Sequence, residues 1–252
     1  MRIFILFLGF LILITSCTEA QNRPREAPQE LPNLKPWVSH LPKEISDKIL
    51  ASPGEFIKDV QPLLSDPLLI LVDKKNPLPS TYAPEDLISL NSLHLKVSRL
   101  DLSLRKVIIP GILALVDGAK EDGVTLVWSS TYRSWTYQKQ VFDRYAARDG
   151  AEKANTYSAR PGESQHQLGT VADFGDITLE FANTKAGKWM AKHAGEYGWS
   201  LSFPKGYEEI TGYQYEPWHF RFIGIDACKV QKKWFGDIQQ YMMEFLQGLK
   251  EI

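Results

Sequence analysis

The sequence predicts an α+β domain in which helices flank a central, mostly antiparallel sheet. Short apolar runs that alternate like strands are mixed with amphipathic segments, but they lack the regular βαβ order of a parallel sheet. Hydrophobic residues make up 44% of the 252 residues, which is ample for one sizeable core, and no internal repeat divides the chain. We therefore expect one main domain behind an N-terminal leader.

The first residues have the composition of a secretory signal. Arg2 precedes an uninterrupted apolar run from Ile3 to Ile14, which is shorter than the roughly 20 residues that span a membrane. The run ends in Ile14-Thr15-Ser16-Cys17, which resembles the lipobox of bacterial lipoproteins. We expect a signal peptide over residues 1–16 and a lipid on Cys17. An ordinary signal peptide and a short uncleaved anchor are the alternatives.

A polar, proline-rich stretch follows the leader. Its composition is typical of an extended tether, so residues 17–40 are expected to join the lipidated cysteine to the folded part. Residues 41–75 form an N-terminal extension, in which two short amphipathic helices precede the β-prone run Pro67–Asp73.

The later elements follow from local signals. Apolar residues at helical spacing predict a helix from Asp101 to Gly123, with a kink where Pro110 and Gly111 interrupt it. The elements expected after it are the strand Val124–Ser130, a helix capped by Ser134, a strand beginning near Thr170, a helix capped by Thr184, two strands around Lys205-Gly206 and a helix over about 232–248.

Charge and cysteine content narrow the function classes. The formal net charge of -1 provides no basic field, so nucleic acid is not expected as a partner. The only cysteines are Cys17 and Cys228, which leaves no disulfide framework and no cysteine-based zinc site if Cys17 carries a lipid. Cys228 is expected to be a small buried apolar residue.

Two motifs contain residue types that bind metals. In "SQHQLGTVAD", His166 lies in a loop and Asp173 at the start of an apolar strand. In "GYQYEPWHFRFIG", Glu216 and His219 are separated by Pro217, which disfavours a helix at this position. Residues three apart on a strand point to opposite faces, so both can serve one site only if the chain bends at Pro217.

These side chains match the composition of a catalytic zinc site. His166, Asp173 and His219 would form an N,N,O ligand set with an open fourth position. Glu216 would be the base that takes a proton from water during attack on a carbonyl. The alternative is that each residue is an ordinary solvated or capping residue, and spacing alone does not decide between the two.

The two motifs, written "SxHxxGxxxD" and "GYxYEPWHFRFIG", resemble those of the zinc-dependent D-alanyl-D-alanine carboxypeptidases of the VanY type. That group includes VanX dipeptidases and L,D-carboxypeptidases. The resemblance extends through "ARPGES", "STYRSWTYQKQVF" and, more loosely, "NPLPSTYAPEDL", and covers about Asn76 to Asp226. It implies a zinc peptidase of the D-Ala-D-Ala carboxypeptidase/Hedgehog-like fold, with the catalytic domain over residues 76–252.

The resemblance also implies individual roles. The Zn²⁺ ligands would be His166, Asp173 and His219, with Glu216 as the base. Arg133, in "YRS", would face the scissile carbonyl and the terminal carboxylate of the substrate. The expected substrate contacts are Gln138, Ser158 and Ser164. This sequence departs from the family pattern at Gln165, where glutamate is usual, and at Val171 and Ala172; these departures leave the ligands intact but the substrate preference open.

The other notable side chains are expected to be structural. His193 lies within a predicted helix, and His40 and His94 have no second ligand at suitable spacing. Trp218 and Phe220 flank His219 and are expected to pack in the core of the sheet.

The sequence as a whole predicts a monomeric zinc carboxypeptidase, lipid-anchored to a bacterial membrane on its extracytoplasmic side. It would trim terminal D-alanine from peptidoglycan stem peptides. Within the enzyme class, the alternatives are an L,D-carboxypeptidase, an endopeptidase and, less favoured, a dipeptidase. Outside it, the alternative is a non-catalytic peptidoglycan-binding lipoprotein, which would have no need of a base beside a metal.

Overall fold

The computed structural model describes residues 33–250. The predicted signal peptide, Cys17 and most of the predicted tether lie outside these residues. The helices are α1 (Lys35–Val38), α2 (Lys43–Ala51), α3 (Pro53–Val60), α4 (Ile109–Glu121), α5 (Trp135–Asp149), α6 (Ala151–Ala154), α7 (Lys185–His193), α8 (Glu208–Thr211), α9 (Ile225–Trp234) and α10 (Gln239–Lys250). The strands are β1 (Leu87–Ser89), β2 (Ser103–Arg105), β3 (Trp128–Ser130), β4 (Val171–Phe174), β5 (Trp199–Leu201) and β6 (His219–Phe222). Within the described range, no helix is both long and apolar enough to cross a membrane.

The central sheet is antiparallel throughout, as the sequence predicts. Its strands lie in the order β3-β4-β6-β5, and β1 and β2 form a separate antiparallel pair. Because side chains alternate between the two faces of a strand, Phe174 and Phe220 point to one face of the sheet while Asp173 and His219 point to the other. The sheet thus separates an apolar face from a polar face.

Helices α4 and α7 cover the apolar face. Ile112 of α4 and Met190 of α7 are buried in one core with the apolar side chains of the sheet. Two caps form as predicted: Ser134 accepts a hydrogen bond from the backbone N–H of Tyr137, and Thr184 accepts one from that of Gly187. These caps satisfy N–H groups that the first turn of a helix leaves without partners.

A second core joins the N-terminal segment to the C-terminal helices. Phe56 of α3 packs edge-on against Trp234, Phe235 and Phe245, with ring centroids 5.3, 5.9 and 5.0 Å away. Leu34 is buried in the same core, so the compact fold begins before residue 41, where the sequence places the start of the extension. Residues 33–75 are therefore an integral part of the fold.

The run Pro67–Asp73, expected to be β-prone, forms no strand. Two of its carbonyl oxygens are hydrogen-bonded to a side chain instead of a strand. The guanidinium Nη2 of Arg221, on β6, donates to the carbonyl oxygens of Leu68 at 2.9 Å and Ile70 at 2.8 Å. Arg221 is completely buried. A single side chain thus replaces a strand neighbour and ties the N-terminal segment to the strand that carries His219.

Two further expectations are corrected. Pro110 lies in the first turn of α4 and does not kink the helix, since the missing N–H has no helical partner at that position. The expected C-terminal helix is two helices, α9 and α10. Gly236 and Asp237 between them both have positive φ, of 61° and 64°, a conformation that ends a right-handed helix.

Candidate active site

His166 lies in a single 3-10 turn, Gln165–Leu168, that leads into β4. The turn ends at Gly169, whose φ of 70° suits a residue without a Cβ. The Nδ1 atom of His166 is 2.7 Å from the carbonyl oxygen of Thr131. Because a carbonyl only accepts, Nδ1 carries the proton, and the buried Nε2 lone pair is free to bind a cation.

Asp173 and His219 are brought together by strand pairing. They occupy directly opposed positions on β4 and β6. The Nδ1 atom of His219 lies 3.2 Å from one carboxylate oxygen of Asp173, and Nε2 of His166 lies 3.3 Å from the other. The two imidazole rings are 4.9 Å apart and perpendicular. All three side chains are buried.

The chain bends at Pro217, as the sequence requires. The backbone N–H of His219 donates to the carbonyl oxygen of Glu216 at 3.1 Å, which closes a tight turn over Pro217 and Trp218. The turn brings the Glu216 carboxylate to 3.3 Å from Nδ1 of His219. Glu216 therefore lies beside the cluster of His166, Asp173 and His219.

The cluster fits a zinc ion. Its ligand atoms all lie within 4.8 Å of one another, and within the described range it is the one such group of three or more His, Cys, Asp or Glu side chains. Bonds of about 2.0–2.2 Å in a tetrahedron place neighbouring ligand atoms roughly 3.3–3.6 Å apart. Asp173 reaches that spacing with each of its oxygens, because Oδ1 lies 3.2 Å from Nδ1 of His219 and Oδ2 lies 3.3 Å from Nε2 of His166. Nε2 of His166 and Oδ1 of Asp173 are buried without a hydrogen-bond partner, which fits a role as metal ligands.

The electrostatics of the site agree with this arrangement. Burial, together with the positive charge of Arg133, lowers the pKa of His166 to about 4, so its imidazole is neutral. Burial also disfavours the charged form of His219, but its contacts with Asp173 and Glu216 outweigh burial and raise its pKa. A cation bound at Nδ1 of His219 therefore competes with a proton for that position. Burial raises the pKa of Glu216.

The predicted substrate-side residues lie in the same cleft. This cleft has a volume of about 810 Å³ and is lined by Arg133, Gln138, Ser158 and Ser164 as well as by the cluster and Glu216. The backbone N–H of Arg133 donates to the carbonyl oxygen of His166 at 3.3 Å, and its Nε is buried without a partner. Gln138 donates to the carbonyl oxygen of Ala159 at 2.6 Å and keeps a buried, unpartnered Oε1.

Three residues that sequence reasoning did not single out contribute to the site. Thr131 acts through its carbonyl oxygen, which no side-chain pattern reveals. Phe203 places its ring 4.6 Å from that of His219. Tyr213 lines the cleft with a buried hydroxyl that has no partner. The sequence signal for Tyr213 was its position within "GYQYEPWH", close to Glu216 and His219.

The remaining histidines lie outside the cluster, and Trp218 and Phe220, which flank His219, differ in their burial. His193 bonds to Glu196 and stacks on Trp189. Phe220 is buried in the apolar core of the sheet, as expected. Trp218 is half-buried, packs against that core and also lines the cleft.

Comparisons with known proteins identify the family. The VanY family model, described as D-alanyl-D-alanine carboxypeptidase, matches residues 101–225. The protein of Bacillus subtilis (strain 168) with the provisional name carboxypeptidase YodJ is 34% identical over 194 residues, which cover 73% of this chain and 69% of that protein.

Two solved structures share the fold. The LD-carboxypeptidase LdcB matches with a TM-score of 0.63 at 34% identity, covering 70% of this chain and 84% of that one. A variant of the vancomycin-resistance D,D-pentapeptidase VanY, solved with Zn(II), matches with a TM-score of 0.55 at 30% identity. The match covers 65% of this chain and 92% of that one. Together with the ligand cluster, this neighbour indicates Zn²⁺ as the cofactor. The chain belongs to the VanY family of D-alanyl-D-alanine carboxypeptidases.

Proposed function

We propose that this protein is a zinc carboxypeptidase that removes the terminal D-alanine from peptidoglycan stem peptides. The observation that carries the proposal is the convergence of His166, Asp173 and His219 beside Glu216 at the wall of an open cleft. Metal-assisted hydrolysis of a peptide bond requires such a set: three ligands that leave a position open, and a carboxylate within reach.

Glu216 acts first as a base and then as an acid. Bound Zn²⁺ supplies positive charge that polarises a carbonyl group and makes water more acidic. Glu216 takes a proton from the water that attacks the carbonyl carbon and gives it to the nitrogen of the leaving amine. The oxygen of water ends on the shortened peptide as part of its new carboxylate, the C–N bond breaks, and D-alanine leaves.

Arg133 stabilises negative charge on the substrate. Three observations support this role: Arg133 lines the cleft, its positive charge lowers the pKa of His166, and its buried Nε has no partner. A fixed guanidinium can bind the terminal carboxylate and the oxyanion that develops during attack. Gln138, Ser158 and Ser164 then supply polar contacts to the peptide.

A second candidate is an L,D-carboxypeptidase that acts on the tetrapeptide. The similarity to LdcB favours it, because that protein is an LD-carboxypeptidase at the same level of identity as the Bacillus subtilis relative. An endopeptidase would use the same residues. A non-catalytic peptidoglycan-binding lipoprotein is disfavoured, because Glu216 is placed beside the ligands where a binding protein needs no base.

The experiment that tests the function is incubation of the purified protein with muropeptides ending in D-Ala-D-Ala and with the corresponding tetrapeptides. We expect D-alanine release that stops on addition of a chelator and returns with zinc. Faster release from pentapeptide supports the D,D activity, and faster release from tetrapeptide supports the L,D activity. No zinc-dependent release from either substrate would remove the enzymatic proposal.

We further propose that the protein works as a lipid-anchored monomer on the extracytoplasmic side of a bacterial membrane. The apolar run before Ile14-Thr15-Ser16-Cys17 supports the anchor, and the proline-rich composition after it supports a tether. The three ligands and Glu216 come together within one chain, so the proposed site needs no residue from a second copy.

Lipidation predicts a simple labelling result. In a bacterial host given radiolabelled palmitate, the full-length chain should carry label and sediment with membranes, whereas Cys17→Ser should do neither. The variant should keep wild-type zinc-dependent activity, because the residues of the site begin at Thr131, far along the chain from Cys17. Equal labelling of both proteins, or no label in either, would contradict a lipid on Cys17.

A further inference from the structure

The segment Ser202–Phe203, directly after β5, contacts the second motif at both its ligand and its base. The backbone N–H of Ser202 donates to the carbonyl oxygen of His219 at 3.2 Å. The carbonyl oxygen of Phe203 accepts from the backbone N–H of Glu216 at 3.1 Å, and the Phe203 ring lies against His219. This segment therefore holds His219 and Glu216 in place together.

A side-chain network extends from the same serine to the first motif. The hydroxyl of Ser202 donates to Oε1 of Gln165 at 2.7 Å, and Gln165 directly precedes His166. The Oε1 atom of Gln239, at the start of α10, lies 3.4 Å from Nε2 of Gln165 and 3.3 Å from the hydroxyl of Ser202. One serine thus links the turn that carries His166, the strand that carries His219 and a C-terminal helix.

The network is buried and electrically neutral. Gln165, Ser202 and Gln239 are exposed by only 6%, 2% and 1%. Gln165 accepts at Oε1 and donates at Nε2, which an ionised carboxylate cannot do. This dual role gives a physical reason for an amide at position 165.

A second serine–glutamine pair on the same face of the sheet does not reach the ligands. The hydroxyl of Ser200 donates to Oε1 of Gln231 at 2.9 Å, and Gln231 in turn donates to Asp237. Ser200 and Gln231 are as buried as their counterparts, at 4% and 3% exposed. This pair is a matched control, since its burial and chemistry are the same but its hydroxyl has no bond to the His166 turn.

We propose that Ser202, with Gln165 and Gln239, is a positioning residue of the zinc site. It fixes the His166 turn and the His219 strand at the separation that one ion requires. The proposal rests on the proposed function, because it takes His166 and His219 to share a zinc ion. Neither Ser202 nor Gln239 lines the cleft, so their influence passes through the ligands and not through the substrate.

The test measures zinc affinity of the full-length apoprotein by competition with a chelator of known affinity. Loss of an outer-shell partner typically costs about 10- to 100-fold in metal affinity or activity, so we expect Ser202→Ala to weaken zinc binding by about tenfold or more. Ser202→Thr, which keeps a hydroxyl, should restore most of the affinity, and Ser200→Ala should leave it unchanged. At saturating zinc, Ser202→Ala should lower kcat with little change in KM.

Equal zinc affinities of Ser202→Ala and Ser200→Ala would overturn the positioning role while leaving the enzyme assignment untouched. If Ser202→Ala does not fold, the zinc affinity of Gln239→Met is compared with that of Gln231→Met. Both substitutions keep the length of the side chain and remove its amide. If the wild-type protein binds no zinc, the proposed function and this proposal both fail. That outcome is seen before any variant is measured, so the two failures can be told apart.

Discussion

Replacing Glu216 by glutamine should remove nearly all hydrolysis while leaving zinc bound. The amide keeps the size of the side chain and its position 3.3 Å from His219, but it cannot take a proton from water. General-base help is worth about 10²–10⁴ in rate, so kcat at saturating zinc and substrate should fall by that factor. Zinc affinity, measured by chelator competition, should stay close to that of the wild type.

The matched control for this variant is Glu152→Gln, which changes an exposed glutamate on α6 that does not line the cleft. It should keep full activity. If Glu216→Gln hydrolysed the substrate at the control rate, another group would be the base. If it lost zinc along with turnover, Glu216 would be a ligand.

His166→Ala should lose both zinc and activity. Its Nε2 faces Asp173 at 3.3 Å, and its Nδ1 is fixed by Thr131, so the ring is held in the orientation a ligand needs. Changes to outer-shell partners cost about 10- to 100-fold in metal affinity, and removal of the ligand itself should exceed that range. The measurement is zinc affinity of the apoprotein, with D-alanine release from the same preparation.

His193→Ala is the control for the loss of an imidazole. His193 lies on α7, bonded to Glu196 and outside the ligand cluster, so zinc binding should be unchanged. A His166→Ala protein with the same zinc affinity as His193→Ala would show that the ion is held elsewhere.

Local chemistry made much of the site predictable. The types of His166, Asp173, Glu216 and His219 match a zinc site, and the resemblance to the VanY family assigned their roles. The proline between the last two required the turn that the structure contains. The caps at Ser134 and Thr184 were predictable for the same reason, since a cap depends on residues within one turn.

Long-range contacts account for what the sequence did not reveal. The direct opposition of Asp173 and His219 depends on strand register, which joins positions 46 residues apart in the sequence. The run Pro67–Asp73 has strand-like composition, but Arg221, far along the chain, donates hydrogen bonds to two of its carbonyl oxygens. The roles of Thr131 and Ser202 depend on a backbone carbonyl and a buried network, and neither leaves a pattern in the sequence.

Zinc titration of the wild-type apoprotein, with D-alanine release measured at each addition, tests the central claim most directly. The account predicts no activity after chelation, then activity that rises with bound zinc and levels off at one zinc per chain. Hydrolysis that survives complete removal of metal, or zinc binding without any gain in D-alanine release from pentapeptide or tetrapeptide, would contradict it.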